Sequence, residues 1–346
     1  MRIQVSARNR AFQFDSAPGE RLLYAGLASA INLPYECGTG TCGTCKAKLI
    51  AGEVEDLWPE ASGRKYLKQP GEYLLCQCVA KTDCSLEVAN FVYTMDPGAC
   101  TPHHGSGTIS NVKTLAPEVM SFSLELDAPC DFDAGQFVVL EVPGVSGFRG
   151  YSMTNFERAS RRFDFVIKRK PGGGATEWLF AGGAQGKKAK WFGPLGTATF
   201  FPTLGKNILC IAGGSGIAGI MSILARAAHE RYFDQYAGHV FFGVRTYGDA
   251  FFLAELAALV SGFKDKLKVV VALSDEDVPA AAQSAHPNIR FDKGLVHEVA
   301  ARHMQGRYQN VRAYLAGPPP AVDGAIRMLL LQAKLTADNI RYDKFS

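Results

Sequence analysis

The sequence lacks long hydrophobic segments and has little bias of charge. It contains no run of about 18 apolar residues, so it predicts no membrane-spanning helix. The 37 Lys and Arg residues against 33 Asp and Glu residues leave a net charge of only +4. No basic block typical of nucleic-acid binding and no basic amphipathic stretch typical of a membrane surface stands in it. We therefore expect a globular protein that binds neither nucleic acid nor membranes.

The first residues also lack the apolar core of a signal peptide. Met1–Val5 alternates between apolar and polar residues, which is typical of a strand. The chain has nine cysteines, an odd number, and without a secretory leader they are expected to stay reduced. We therefore expect a cytoplasmic protein in which the clustered N-terminal cysteines bind metal.

The pattern of residues divides the chain into three predicted domains. Residues 1–95 hold six of the nine cysteines, with short strands around one predicted helix at Leu22–Ala30. This pattern is typical of a small mixed sheet wrapped on a helix. Residues 96–105 are rich in Pro and Gly and are the predicted linker.

Residues 106–203 and 204–346 are the second and third predicted domains. The second has the spacing of a Greek-key β-barrel, with strands at Thr108–Val112, Met120–Leu126, Phe137–Val142, Phe163–Lys168 and Thr197–Phe201. In the third, apolar strands alternate with helices, which predicts a doubly wound parallel sheet. The chain is therefore predicted to be a multidomain protein that combines α+β and α/β folds.

Four cysteines form the first motif with chemical meaning. Cys37, Cys42 and Cys45 stand in C-x4-C-x2-C within a Gly/Thr-rich loop, and Cys76 follows after 30 further residues. A [2Fe–2S] cluster needs four converging thiolates, and N–H groups of such a loop can donate to the sulfurs. A zinc site would favour paired C-x2-C motifs. Cys78 competes with Cys76 for the role of fourth ligand.

This pattern resembles the plant-type ferredoxin family in the segments Pro34–Cys45 and Leu74–Gln77. The resemblance implies a β-grasp domain and makes Cys76 the fourth ligand of the cluster. The other cysteines are interpreted as ordinary thiols: Cys78, Cys84, Cys100, Cys130 and Cys210.

A flavin motif follows in the predicted barrel. Arg149, Tyr151 and Ser152 stand in R-x-Y-S, which resembles the signature of the ferredoxin–NADP reductase superfamily. A guanidinium fork suits a diphosphate, and a Tyr ring can lie against the isoalloxazine. A Ser hydroxyl can hydrogen-bond flavin N5, the atom that accepts a hydride. Ser152 is the one residue to which we assign a catalytic role.

A glycine-rich turn about twenty residues further on opens a predicted helix, where exposed N–H groups suit a phosphate. The superfamily has its second flavin-phosphate motif at this place. The resemblance implies flavin contacts for Ile167, Lys168, Gly173, Gly174 and Thr176. The flavin is expected to be FAD, because family members with an N-terminal cluster domain carry FAD.

A strand, a glycine turn and a helix mark the nicotinamide motif. Gly213–Gly216 follows an apolar strand, an arrangement that holds a dinucleotide phosphate at the carboxyl edge of a sheet. The segment resembles the superfamily's G-G-[ST]-G-[IL]-A-P, with Gly219 in place of Pro, and Ala316 replaces a usual Cys. The residues predicted to bind NAD(P)H are Gly213, Gly214, Ser215, Gly216, Gly243, Arg245, Gly317 and Pro318.

The residues leave the choice of coenzyme open. Arg245 could accept the 2′-phosphate of NADPH, whereas an acidic residue such as Asp249 would favour NADH. The resembling reductases mostly use NADH, so NADH is expected. Phe345, near the C-terminus, either covers the far face of the flavin or packs at the chain end.

The order of the three motifs resembles the reductase component of bacterial multicomponent oxygenases. The resemblance implies that hydride passes from NADH to FAD, and that the cluster passes single electrons to an oxygenase component or its ferredoxin. The organic substrate would be an aromatic compound or another hydrocarbon, and the reductase would be a monomer. Two alternatives stay open, namely another acceptor such as a dehydratase-type enzyme or separate ferredoxin, and a redox sensor without turnover.

Overall fold

The structure is a computed structural model that describes residues 1–344 and divides into two compact units. Unit 1 comprises residues 1–106, 138–150 and 190–195, and unit 2 comprises the other described residues. Phe345, predicted to contact the flavin, lies outside the described residues.

A mixed sheet and one helix form the N-terminal part of unit 1. The elements are β1 (Arg2–Ser6), β2 (Ala11–Asp15), α1 (Leu22–Ala28), β3 (Lys46–Ala51), β4 (Val54–Asp56), β5 (Glu72–Leu74), β6 (Cys78–Ala80) and β7 (Cys84–Glu87). Five strands lie in the order β2-β1-β7-β3-β5, with β1 parallel to β7 and antiparallel to β2. Helix α1 buries every residue from Leu22 to Leu27. This is the small mixed sheet on a helix that the sequence predicts.

The middle of the chain is mostly β-structure. Its elements are β8 (His103–Ala116), β9 (Val119–Cys130), β10 (Phe137–Glu141), β11 (Arg149–Ser152), β12 (Ser160–Lys168), α2 (Gly174–Phe180) and β13 (Lys188–Leu195). In unit 2, β9 lies between β8 and β12 and is antiparallel to both. In unit 1, β10 lies between β11 and β13.

Two details of this part differ from the expectation. Strand β8 begins at His103, within the stretch predicted to be a linker, and residues 197–201 form no strand. Ala198 and Phe200 are buried between more exposed neighbours, and this alternation suggested a strand. The alternation instead reflects an extended segment, in which Phe200 joins the core of unit 2 and its N–H donates to the Ala134 carbonyl at 3.0 Å.

The C-terminal part of unit 2 is a parallel sheet with helices. Its elements are β14 (Asn207–Gly213), α3 (Ile217–His229), β15 (Gly238–Val244), α4 (Leu253–Gly262), β16 (Leu267–Leu273), α5 (Ala280–Ala285), β17 (Arg290–Lys293), α6 (Val296–Met304), β18 (Val311–Gly317), α7 (Pro319–Leu331) and β19 (Ile340–Lys344). The strands lie in the order β17-β16-β15-β14-β18-β19, and each neighbouring pair is parallel. The predicted doubly wound sheet is confirmed.

Both faces of this sheet are covered, which explains the continuous apolar strands. On β14, Ile208 and Cys210 belong to one core cluster and Leu209 and Ile211 to the other. The first cluster includes side chains of α3 and α4, and the second includes side chains of α6 and α7. Across residues 1–344, no helix is long and apolar enough to cross a membrane.

Candidate functional site

The four cysteines predicted to be cluster ligands lie in unit 1 as two pairs. Cys45 and Cys76 are buried, and their Sγ atoms lie 3.2 Å apart. Cys37 and Cys42 form the other pair, with the Cys37 N–H 3.5 Å from Cys42 Sγ. Two thiol pairs suit two iron atoms that each take two thiolates. In the described part of the chain, no three His, Cys, Asp or Glu side chains form a group suited to a single metal ion.

Backbone amides of the loop point at the sulfurs. The N–H groups of Thr39 and Thr41 lie 3.4 Å from Cys37 Sγ. Gly40 between them has φ of +90°, a conformation that favours glycine and lets both amides turn to the same sulfur. The Cys42 thiol and these amides hold the pKa of Cys37 well below its usual value, although burial opposes them. Such donors stabilise a negatively charged sulfur and would therefore stabilise a reduced cluster.

Cys78 has different surroundings from Cys76. It lies on β6 opposite Asp56 of β4, and burial together with the nearby Asp56 and Cys76 raises the pKa of its thiol. The sulfur of Cys76, by contrast, faces Cys45. This geometry favours Cys76 as the fourth ligand, and the assignment stays a prediction.

Strand β11 carries the R-x-Y-S motif, and its first residue lies in unit 1. Arg149 is half-buried, and its Nη1 donates to the Phe148 carbonyl at 2.9 Å. Its guanidinium carbon lies 5.9 Å from the ring centroid of Trp58. These contacts orient the guanidinium, which stays predicted to bind the FAD diphosphate.

Tyr151 and Ser152 lie in unit 2. The Tyr151 ring makes edge contacts with Phe122 and Phe165, each at 6.4 Å between centroids. Ser152 is buried, and a Cβ placed on Gly219 would lie 3.6 Å from Ser152 Cβ. Gly219 belongs to the first turn of α3, so the residue predicted to contact flavin N5 lies beside the helix that follows the nicotinamide turn. The glycine that replaces Pro leaves this space open.

The Thr176 side chain makes hydrogen bonds across the glycine-rich turn before α2. Thr176 Oγ1 accepts from the Lys170 N–H at 3.2 Å and donates to the Gly173 carbonyl at 3.0 Å. Gly174 is the first residue of α2. The hydroxyl therefore holds the shape of the turn, and the flavin contacts of Gly173, Gly174 and Thr176 stay predictions.

Ile167 and Lys168 end strand β12. Ile167 is buried in unit 2, whereas Lys168 lines a cavity together with Val119 of β9. Of these two residues predicted to contact the flavin, only Lys168 therefore lines the cavity.

A cavity of about 450 Å³ lies in unit 2 at the carboxyl ends of the parallel strands. A ligand at this edge is the general arrangement of doubly wound sheets, and the size suits a small molecule. The structure brings together there all the residues predicted to bind NAD(P)H: Gly213, Gly214, Ser215, Gly216, Gly243, Arg245, Gly317 and Pro318.

Close contact between the start of α3 and the end of β18 shapes this cavity. A Cβ on Gly216 would lie only 2.4 Å from the Ala316 carbonyl oxygen, so a larger residue requires the backbone to move. Ala316 is buried at the end of β18, beside the start of α3. It offers no thiol at the position where the superfamily pattern described above has Cys, so we expect positioning by the other groups to suffice.

An ion pair lies at the end of β15. Arg245 Nε lies 3.4 Å from Asp249 Oδ2, and the Thr246 hydroxyl donates to the same oxygen at 3.2 Å. Burial acts to raise the pKa of Asp249, but the bonds from Arg245 and Thr246 outweigh it and lower the pKa. Both Arg245 and Asp249 line the cavity, so an ionised carboxylate faces the space predicted to hold the coenzyme.

Sequence reasoning missed part of the cavity wall. The additional lining residues are Val119, Val244, Phe251, Ala272, Ser274, Gly294, Leu295, Val296 and Ala321. The rule that ligands bind at the carboxyl ends of parallel strands would have found Ser274 and Gly294, which follow β16 and β17. Val119 belongs to the barrel segment and had no comparable signal.

Family models match three successive parts of the chain. They are a 2Fe-2S iron-sulfur cluster binding domain at residues 6–81, an oxidoreductase FAD-binding domain at 106–200 and an oxidoreductase NAD-binding domain at 210–326. The predicted combination of a ferredoxin fold, an FAD domain and an NAD domain is confirmed. The class is therefore a flavoprotein oxidoreductase with its own iron–sulfur domain.

Curated relatives narrow this class. A ferredoxin–NAD(P)+ reductase of Metapseudomonas resinovorans is 34% identical over 94% of this chain and 95% of its own. The ferredoxin–NAD+ reductase component of the alkene monooxygenase system of Xanthobacter autotrophicus is 32% identical over 97% and 99%. The ferredoxin reductase in carbazole 1,9a-dioxygenase matches as a structure, with a TM-score of 0.82, 32% identity and coverage of 100% and 99%.

The chain belongs to the family of ferredoxin–NAD(P)+ reductases that includes the reductase components of mono- and dioxygenase systems. It is an NAD(P)H-dependent oxidoreductase with a [2Fe–2S] cluster and FAD as cofactors.

Proposed function

We propose that this chain is the reductase component of a multicomponent oxygenase that acts on an aromatic compound or another hydrocarbon. It would take electrons from NADH and deliver them to the oxygenase component or to its ferredoxin. The observation that carries the proposal is the presence, in one chain, of two thiol pairs suited to a cluster and a coenzyme cavity. A relative from Pseudomonas putida, named as a xylene/toluene monooxygenase electron transfer component, supports this class of partner.

The residues of the chain bind and orient the redox groups. When bound, FAD accepts a hydride at N5, and a [2Fe–2S] cluster transfers single electrons. The glycine turn Gly213–Gly216 and the start of α3 would hold the coenzyme diphosphate. Ser152, beside that helix, would orient the flavin edge toward the nicotinamide. No side chain has to act as a nucleophile, because correct positioning supplies most of the rate gain.

NADH is the proposed coenzyme. The ionised Asp249 can accept a hydrogen bond from a ribose 2′-OH, but it would repel a 2′-phosphate. The same carboxylate pairs with Arg245, the residue that the sequence suggested for contact with a 2′-phosphate. The pair therefore favours NADH over NADPH.

An anaerobic titration of the purified protein with NADH and then NADPH tests this function. We expect bleaching of both the flavin band and the cluster band, with about three electrons taken up per chain, because FAD takes two and the cluster one. NADH should act well below the concentration at which NADPH acts. Bleaching of the flavin band with no cluster signal would mean that the protein is a simple flavin reductase. If neither coenzyme bleached the flavin band, the protein would be one that does not turn over.

A second candidate acceptor is a haem protein. A solved structure described as a cytochrome P450 reductase from Amycolatopsis has a TM-score of 0.80 and 28% identity, with coverage of 99% and 98%. Stopped-flow mixing of the reduced protein with a ferric P450 or with a ferredoxin-accepting oxygenase distinguishes the two. The faster oxidation of the reduced cluster identifies the class of acceptor.

We also propose a cytoplasmic monomer. In the described part of the chain, Cys37, Cys42, Cys45, Cys76, Cys78, Cys84 and Cys210 form no disulfide, which agrees with a reducing compartment. Size-exclusion chromatography with light scattering should give the mass of a single chain, 37.4 kDa.

A further inference from the structure

Arg21 is a buried cation that forms no ion pair with another side chain among the residues that the structure describes. It directly precedes α1, and it is only 8% exposed. Its Nη1 is buried and has no hydrogen-bond partner among residues 1–344. A buried guanidinium is costly unless an anion and hydrogen-bond acceptors meet it. The burial of Arg21 therefore points to a ligand that supplies both.

Aromatic rings hold the Arg21 side chain in place. Its guanidinium carbon lies 4.8 Å from the ring centroid of Phe148 and 5.7 Å from that of Tyr24. Tyr24 is fixed in turn, because it stacks on Phe192 at 4.3 Å between centroids and its hydroxyl donates to the Gly38 carbonyl at 2.9 Å. Cation–π contacts position a guanidinium through its flat face. They leave its N–H edge available to an acceptor that lies in the plane of the guanidinium.

Arg21 and Arg149 converge on one stretch of backbone in unit 1. A Cβ placed on Gly147 would lie 3.3 Å from Arg149 Nη1 and 4.0 Å from Arg21 Nη2. Two guanidinium groups repel each other unless an anion lies between them. Arg149 is the residue predicted to bind the FAD diphosphate, so the same anion can meet the edge of Arg21.

We propose that Arg21 supplies a second guanidinium to the diphosphate of FAD, so that the iron–sulfur domain takes part in flavin binding. A diphosphate offers two negative charges and several acceptor oxygens, which match two planar donor forks. The proposal rests on FAD as the bound flavin and does not depend on the identity of the electron acceptor.

Flavin binding to Arg21→Met tests this site. The purified protein is stripped of flavin with its cluster retained, and the dissociation constants of FAD and riboflavin are measured by flavin fluorescence. We expect Arg21→Met to raise Kd for FAD by about tenfold or more, because a charge-assisted hydrogen bond is lost. Riboflavin has no phosphate, so its Kd should not change. The Kd for FAD should also rise less steeply with salt in the variant than in the wild type.

Two further variants separate binding from folding. Arg21→Lys keeps the charge without the fork and should recover part of the FAD affinity. Arg10→Met removes an exposed guanidinium from the same domain and should leave both constants unchanged. An unchanged cluster spectrum confirms that the domain of each variant is folded. Equal loss of affinity for FAD and riboflavin, or no loss for either, would overturn the proposal. NADH reduction of the wild type is measured separately, so failure here does not depend on the outcome for the proposed function.

Discussion

Among single residues, His239 is expected to link pH to stability. Burial lowers the pKa of His239 from 6.5 to about 4, and the positive charges of Lys268 and Arg307 add to this effect. Lys268 lies directly opposite on the neighbouring strand β16. In the unfolded chain the imidazole binds a proton near pH 6.5, whereas the folded chain resists protonation down to about pH 4. Between these values the unfolded state holds more protons, so stability falls as the pH falls.

The corresponding prediction concerns His239→Asn. Between pH 7 and pH 4.5 the thermal midpoint of this variant should fall less than that of the wild type, because the protonation difference is removed. The stabilising contribution of a neutral His239 changes by at most about 1.4 kcal/mol per pH unit in this window. His229→Asn, at an exposed position at the end of α3, is the control and should follow the wild type. Parallel pH profiles for the wild type and His239→Asn would contradict the prediction.

The functional residues differ in how well the sequence alone predicts their roles. The spacing of Cys37, Cys42 and Cys45 predicts its site because a metal cluster requires a short loop with ligands at fixed separations. Arg21 carries no such signal, because its neighbour Phe148 is more than a hundred positions away in the chain and no motif marks the residue. Asp249 was noticed near Arg245, but only the structure places both on the cavity wall.

At the scale of elements, the contact between the start of α3 and the end of β18 should be sensitive to one methyl group. In Gly216→Ala the new Cβ would lie 2.4 Å from the Ala316 carbonyl, so the helix start must move away from the strand. A shift of this kind misplaces the coenzyme against the flavin. We expect kcat/KM for NADH to fall by about tenfold to a hundredfold, measured with ferricyanide as acceptor.

Gly262→Ala is the matched control for this substitution. Gly262 ends α4, and a Cβ there meets no atom within 4 Å, so its kinetics should equal those of the wild type. If Gly216→Ala retained full activity, the close contact between α3 and β18 would have no part in coenzyme binding.

Elements with a strong pattern could be predicted, and weakly patterned ones could not. The parallel strands β14, β15, β16 and β18 are continuous apolar runs, because both faces of their sheet are covered. The segment 197–201 alternates like a strand, yet alternation reports only which side chains are buried. Strand pairing depends on a partner that a single sequence does not identify, and this explains both the false strand and the missed strand β13.

For the whole molecule, the division into two units predicts that its two half-reactions can be separated. The thiol pairs lie in unit 1, and the cavity for NAD(P)H lies in unit 2. In Cys76→Ser the cluster should be lost, because the buried partner of Cys45 no longer supplies a thiolate. The coenzyme cavity is built from other residues, so reduction of the small oxidant ferricyanide by NADH should stay within about twofold of the wild type.

Cys78→Ser makes this prediction specific. Cys78 is equally buried and only two positions away, but it lies opposite Asp56 rather than Cys45. The variant should therefore keep the visible and electron paramagnetic resonance spectra of a [2Fe–2S] cluster and should still reduce a protein acceptor. Cys76→Ser should show the flavin spectrum alone and should fail to reduce that acceptor. The opposite pattern, a cluster retained in Cys76→Ser and lost in Cys78→Ser, would show that Cys78 and not Cys76 is the fourth ligand. Loss of ferricyanide reduction in Cys76→Ser would instead mean that NADH oxidation itself requires the cluster.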